Sequence, residues 1–230
     1  MDKVTRSSFR RFRTFLSSAS LPITISSPSR PTQTSVVCGE PSGLDSAGAA
    51  FYRNGFQAIG VDTLAEQAGV SKMTLYRHFL SKDDLIVSVL NEFDHGAQAF
   101  YGQVMAKATT PRAKLLAVFA WIAGRSADPE CRGCAFQNGA AEFPEIGHEI
   151  HQAALANKLA TRAAYFEKAK AMGARNPGLL ADQLVLLTDG AWAAARMWGT
   201  DSPARSVVAA AKTLIDAQVP TKRALAKPVS

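Results

Sequence analysis

Residues 60–85 read GVDTLAEQAGVSKMTLYRHFLSKDDL, and they contain the clearest structural pattern in the chain. The apolar residues of its first half recur at helical spacing: Val61, Leu64, Ala65 and Ala68. This spacing predicts a helix over 61–68 that ends at Gly69. Ser71 is suited to cap a second helix over 72–79, because its hydroxyl can accept a backbone N–H. Two short helices joined by a glycine turn are typical of a helix-turn-helix.

Helical patterns continue on both sides of this stretch. Residues 44–54 predict a weak helix that ends at Asn54-Gly55, a good stop signal. Ser81, followed by Asp84 at capping-box spacing, predicts the start of a long helix. Further helices are predicted over 110–127, 134–143, 146–172, 178–198 and 203–217. No stretch alternates as a strand does, so we expect an all-α chain.

The composition is that of a globular protein, with 230 residues, 47% hydrophobic and 20% charged. Three cysteines, Cys38, Cys131 and Cys134, do not suggest a secreted disulfide framework. No uncharged apolar run reaches the roughly 20 residues that span a bilayer. We therefore expect a soluble cytoplasmic protein with no membrane partner.

Residues 1–42 differ from the rest because they are rich in serine, arginine and proline. Residues 1–38 contain six basic side chains and one acidic one, so they hold +5 of the formal net charge of +7. We expect a disordered basic tail here, and a second tail over 219–230. The basic tail fits a transit peptide, an arm that contacts DNA phosphates, or a stretch upstream of the true start.

The stretch over 60–85 resembles the DNA-binding region of the tetracycline-repressor (TetR) family. The resemblance rests on LAEQAGVS, TLYRHF and SKDDL, and it extends back to Ala50. Gly60 departs from the family, which usually has Thr or Ser there. The resemblance implies a three-helix DNA-binding domain over 44–82 and a helical ligand-binding and dimerisation domain over 83–218. It also implies that the protein is no enzyme and regulates transcription, most often as a repressor of a palindromic operator.

The first turn of a recognition helix reaches base edges and phosphates in the major groove. Matched to the family, the expected DNA contacts are Ser71, Lys72, Met73, Thr74, Tyr76, Arg77, His78 and Lys82. Leu75 and Phe79 are expected in the core. Double-stranded operator DNA, a small-molecule effector and a second copy of the chain are the expected partners.

Two further sets of residues are expected in the second domain. An apolar effector pocket is predicted from Trp121, Phe136, Gln137, Glu142, Phe143, Tyr165 and Trp192, although these residues also fit a plain core. A helix-pair dimer interface is predicted from Leu187, Ala191, Ala194, Val207, Val208, Ala211 and Leu214.

Other functions remain as alternatives. The Cys131/Cys134 pair has the spacing of a thiol redox sensor or enzyme, but no βαβ pattern surrounds it. A ligand-binding or interaction protein with a degenerate DNA-binding domain is a second alternative. Glu142, Glu145, His148 and His151 cluster in sequence, but we interpret them as a solvated helix start and expect no metal or cofactor.

Overall fold

The computed structural model describes residues 45–220, which contain nine α-helices and no strand. The helices are α1 (Asp45–Asn54), α2 (Val61–Gln67), α3 (Lys72–His78), α4 (Lys82–Ala106), α5 (Pro111–Ser126), α6 (Ala135–Glu142), α7 (Glu149–Ala171), α8 (Pro177–Trp198) and α9 (Val207–Gln218). Two short 3₁₀ turns, Gly199–Asp201 and Pro203–Ser206, connect α8 to α9. The prediction of an all-α chain is confirmed. The predicted tail over 1–42 and most of that over 219–230 lie outside the described residues.

Side-chain caps set several helix starts where the sequence predicted them. The hydroxyl of Ser71 accepts the backbone N–H of Thr74 at 3.1 Å, at the start of α3. Ser81 accepts the N–H of Asp84 at 2.9 Å. The carboxylate of Asp84 accepts the N–H of Leu80, so this helix start satisfies two donors that the helix itself leaves unpaired.

The described chain divides into two compact units. The first contains residues 45–97 and 139–153, and the second contains residues 98–138 and 154–220. The unit that holds the helix-turn-helix is therefore larger than the segment 44–82 expected for a DNA-binding domain. A segment from the second half of the chain completes it.

The first unit has an apolar core built from α1, α2, α4 and the segment 139–153. Its fully buried side chains include Phe51, Phe56, Leu64, Leu85, Ile86, Leu90 and Ile150. This segment packs directly on α4, since a Cβ at Gly139 would be in ordinary van der Waals contact with Leu90 at 3.6 Å and with Ile150 at 3.4 Å. Burial of these apolar side chains stabilises the unit that contains α2 and α3.

The second unit is centred on α5, α8 and α9, which pack on one another. Its buried side chains include Leu115, Phe119, Ile122, Leu180, Leu184, Ala211 and Ile215. Among the described helices, none is both long enough and apolar enough to cross a bilayer.

Candidate nucleic-acid interface

The turn between α2 and α3 has a fixed geometry. Gly69 adopts a φ of +65°, which is the left-handed conformation that glycine allows at a helix end. The N–H of Gly69 donates to the carbonyl of Glu66 at 3.0 Å, and that of Val70 donates to Ala65 at 2.9 Å. These hydrogen bonds set the direction of α3 relative to α2.

Helix α3 buries one face and exposes the other. Leu75 and Phe79 are buried, as the sequence predicted. On the opposite face, Met73 is 74% exposed and Tyr76 is 47% exposed, and Arg77 is exposed beside them. Helix α3 therefore presents Met73, Tyr76 and Arg77 on its solvent-exposed side.

The eight residues expected to contact DNA differ in their solvent exposure and in the hydrogen bonds that their side chains make. Ser71, Lys72, Met73, Tyr76 and Arg77 are exposed, whereas Thr74, His78 and Lys82 are half-buried. The hydroxyls of Ser71 and Thr74 lie 2.9 Å apart, so both take part in the cap of α3. The ammonium of Lys82 donates to the backbone carbonyl of Gln57 at 3.0 Å.

Lys72 is held by Asp62, a partner that the sequence analysis did not identify. Its ammonium lies 2.9 Å from each carboxylate oxygen of Asp62, in the first turn of α2. The hydrogen bond to Asp62, together with the charge of that carboxylate, raises the pKa of Lys72. Lys72 is therefore a cation with an anionic partner in the free protein.

A second contact missed by sequence reasoning joins Gln57 and Glu142. The backbone N–H of Gln57 donates to a carboxylate oxygen of Glu142 at 2.8 Å, and its side-chain amide donates to the Glu142 carbonyl. Gln57 lies in the turn before α2 and Glu142 ends α6. A separation of 85 residues leaves no periodic signal that predicts this pairing.

The residues expected to line an effector pocket fall into both units. Glu142 and Phe143 belong to the first unit. There Glu142 binds Gln57, and the ring of Phe143 stacks on His148 at 4.8 Å between centroids. Glu142 and Phe143 therefore contact other residues of the first unit.

The remaining five predicted pocket residues lie in the second unit. The ring of Trp121 is 5.7 Å from Trp192, edge to face, and it also contacts Phe100 and Tyr101. Phe136 is buried, and the amide of Gln137 donates to the carbonyl of Asp189. The aromatic cluster Phe100, Tyr101, Trp121 and Trp192 is defined by these ring contacts.

Polar groups of the second unit lie on α7 and α8. Lys158 donates to Asp189 at 2.5 Å and lies 3.5 Å from the sulfur of Cys134. Burial lowers the pKa of Lys158, but its electrostatic interactions and hydrogen bonds with Cys134 and Asp189 outweigh this effect, so the Lys158 pKa is raised. The buried hydroxyl of Tyr165 lies 2.9 Å from that of Thr188. Burial raises the pKa of Tyr165 to about 12.

The residues expected in a dimer interface divide by burial. Ala191, Val207 and Ala211 are 5%, 3% and 0% exposed, so their side chains pack inside their own chain. Leu187, Ala194, Val208 and Leu214 are half-buried. The solvent-exposed face of α8 is a neighbouring one, which contains Leu186, Gly190, Ala193 and Met197.

The cysteines and the two histidines that the sequence analysis singled out have the following surroundings. Cys131 and Cys134 are buried and are not in a disulfide, and Cys38 lies outside the described residues. The Nε2 of His148 lies 3.4 Å from a carboxylate oxygen of Asp83, and His151 is bonded to the carbonyl of Phe143. Within residues 45–220, no three His, Cys, Asp or Glu side chains are placed to hold a metal ion.

Comparison with known proteins places this geometry in a family. Residues 44–89 match the family model described as bacterial regulatory proteins, tetR family. A TetR transcriptional regulator from Streptomyces avermitilis is 34% identical, with a TM-score of 0.68 over 76% of this chain and 94% of that one. A TetR-family regulator from Streptomyces coelicolor shares the fold, with 24% identity and a TM-score of 0.73 over 95% of this chain and 100% of that one.

Two curated proteins of Mycolicibacterium smegmatis are also similar. The transcriptional activator FasR is 31% identical over 108 residues, which are 46% of this chain and 49% of FasR. The transcriptional repressor KstR2 is 34% identical over 76 residues, which are 33% of this chain and 37% of KstR2. The matched segments thus span half or less of these two relatives, and both relatives are transcriptional regulators. Given these matches, the chain belongs to the TetR family of transcriptional regulators.

Proposed function

We propose that this protein is a ligand-responsive regulator that binds operator DNA as a dimer. The observation that carries the proposal is the exposed face of α3, with Met73, Tyr76 and Arg77 pointing away from a helix whose other face is buried. A helix of this kind fits the major groove, which is wide enough to admit it. The chain is expected to act in the cytoplasm, where operator DNA would be its partner.

The contacts proposed for this helix follow from side-chain chemistry. Arg77 has the fork of donors that binds phosphate or guanine, and Met73 offers an apolar tip to a thymine methyl. Tyr76, Thr74 and Ser71 are suited to phosphate oxygens, as are His78, Lys72 and Lys82. Residues 44–90 contain four basic and five acidic side chains, so affinity has to come from placed contacts rather than from net charge.

Dimerisation is proposed through the open face of α8. Leu186 is 72% exposed and Met197 is 75% exposed, and the small residues Gly190 and Ala193 lie between them along the same helix face. A stripe of this kind allows close approach of a second helix, and two-fold symmetry would double it into a four-helix arrangement with α9. Two recognition helices would then lie about 34 Å apart, one turn of DNA.

The effector is proposed to bind in the second unit. The aromatic cluster supplies apolar surface, and Lys158, Asp189 and Gln137 supply polar groups on the neighbouring helices. An effector that binds the free protein better than the operator complex would lower the affinity for operator. By linkage, the operator would lower the affinity for the effector by the same factor. Relief of repression is the proposed mode, and the relatives include both a repressor and an activator.

A gel-shift titration with DNA flanking the protein's own gene tests this function. The wild type should bind that DNA more tightly than a shuffled duplex of the same composition. Arg77→Ala should weaken binding about 10-fold or more, because a placed base or phosphate contact contributes about 1–3 kcal/mol. Arg175→Ala is the matched control, since Arg175 is an exposed arginine of the second unit. Equal binding of both duplexes, or equal effects of both variants, would contradict the proposal.

A further inference from the structure

The ion pair between Asp62 and Lys72 has a consequence for DNA recognition. Lys72 is the first residue of α3, and its ammonium is shared between both carboxylate oxygens of Asp62, each at 2.9 Å. Both side chains are largely exposed, at 52% and 76%. Tyr76, another expected DNA contact, lies one helical turn further along α3. The pair is thus part of the surface that would face a DNA duplex.

A carboxylate and a phosphodiester are competing anions for one ammonium group. Exposed ion pairs contribute little to stability, so a well-placed phosphate can displace the carboxylate. A phosphate that is not held in register by neighbouring contacts gains less from the exchange. The Asp62 charge also repels any phosphate that approaches Lys72.

The basic side chains of this region are few, which makes the competition count. Residues 44–90 contain only Arg53, Lys72, Arg77 and Lys82 as permanent cations. Asp62 therefore neutralises one of four. Non-specific DNA binding is almost entirely electrostatic, whereas operator binding also uses base contacts. Loss of one cation weakens the first kind of binding proportionally more.

We propose that Asp62 is a specificity-determining residue that withholds Lys72 from DNA phosphate unless the operator places a phosphate in register. This rests on the proposed function as a DNA-binding regulator. In the operator complex Lys72 leaves Asp62 and binds phosphate, whereas on other DNA the pair stays closed. Asp62 thus lowers affinity for random sequence and increases the ratio between specific and non-specific binding.

The variant Asp62→Asn tests this, with Glu66→Gln as its matched control. Glu66 lies one turn further along α2, is also exposed, and is not a partner of Lys72. Both variants remove one negative charge from the same helix. Only the first releases Lys72, so a difference between them reports the ion pair rather than the general field.

The measurement is the dissociation constant for two 24-bp duplexes, one of random sequence and one selected from a random library by the wild type, each from 50 to 200 mM KCl. On the random duplex, Asp62→Asn should steepen the slope of log K against log salt by about 1.8, which is one added phosphate contact from each protomer of the dimer. Across this fourfold salt range that slope corresponds to about a 12-fold additional loss. On the selected duplex the slope should stay unchanged, so the specificity ratio falls.

Further outcomes separate this inference from the proposed function. Replacing Lys72 by Gln should abolish the effect of Asp62→Asn on the random duplex, because no ammonium remains to be released. If Asp62→Asn and Glu66→Gln give the same slopes and the same ratio, the inference is overturned while wild-type selectivity still supports the function. If the wild type selects no sequence, the function fails, and the random duplex alone still shows whether Asp62 withholds Lys72.

Discussion

Gln57 and Glu142 are separated by 85 residues, yet the backbone N–H of Gln57 donates to the carboxylate of Glu142 at 2.8 Å. The carbonyl of the same Gln57 accepts from the ammonium of Lys82 at 3.0 Å. The turn that leads into α2 is therefore held from two sides, by the end of α6 and by the start of α4. Glu142, which the sequence analysis expected to line an effector pocket, thus supports the turn before the helix-turn-helix.

Removal of the Glu142 carboxylate should loosen this turn. Glu142→Ala leaves the N–H of Gln57 without its partner, and we expect a loss of about 1 kcal/mol in the free energy of unfolding. Amide hydrogen exchange over residues 55–60 should also become faster. Glu145→Ala is the control, because Glu145 is exposed on the same segment, and urea unfolding of both variants makes the comparison. Equal stabilities would show that the contact contributes nothing.

Two glycines should respond to alanine with opposite signs. Gly133 has a φ of +81°, and a Cβ there would lie 3.0 Å from the carbonyl oxygen of Trp192. Gly133→Ala should therefore destabilise the protein by about 1–3 kcal/mol. Gly124 lies inside α5 with open space around it, so Gly124→Ala should stabilise by about 0.5–1 kcal/mol. Thermal unfolding measures both, and a Gly133→Ala protein as stable as the wild type would contradict the described conformation of Gly133.

Tyr165 should make the protein sensitive to alkaline pH. Its pKa is about 12 in the folded chain against an ordinary 10.0, so the unfolded chain loses the proton first and stability falls between these values. At pH 11 the expected loss is about 1.4 kcal/mol, and at pH 8.5 it is close to zero. Tyr165→Phe removes this component. A wild-type advantage over the variant that is the same at pH 8.5 and pH 11 would refute the prediction.

An acidic residue in the exposed α8 face should break the proposed dimer. Leu186→Glu places one charge on each copy at the two-fold contact, where burial without a partner is costly. We expect a dimer–monomer dissociation constant at least 100-fold higher, measured by sedimentation velocity. Ile146→Glu makes the same change at a site of equal exposure in the first unit, 71% against 72%. If both variants sediment as the wild type does, the α8 face is not the interface.

The helices and their starts could be predicted because their causes are local. Ser71 and Ser81 cap helices through atoms three residues away, and Gly69 ends α2 through its own backbone conformation. Leu75 and Phe79 are spaced for one buried face, and the structure buries them. The family resemblance over 60–85 extended this local reading to the whole fold.

The rest depended on contacts between distant parts of the chain. An apolar period shows that Ala191, Val207 and Ala211 avoid water, but it does not show whether their own chain or a partner covers them. Glu142 lies among aromatic residues in sequence and among the residues of the helix-turn-helix in space. The Asp62–Lys72 pair joins two helices across a turn, and helical periodicity carries no signal for side-chain pairing between helices.

Hydroxyl-radical footprinting on a duplex selected by the wild type from a random library shows whether α3 reads the major groove. A dimer that inserts two copies of α3 into successive major grooves should protect two patches on one face of the duplex, about 10 base pairs apart. At a protein concentration just above the wild-type dissociation constant, Arg77→Ala should lose most of the protection in both patches together, since the two half-sites are bound by identical helices. A single protected patch, or equal protection by wild type and Arg77→Ala at that concentration, would contradict the assignment of α3 as the helix that reads DNA.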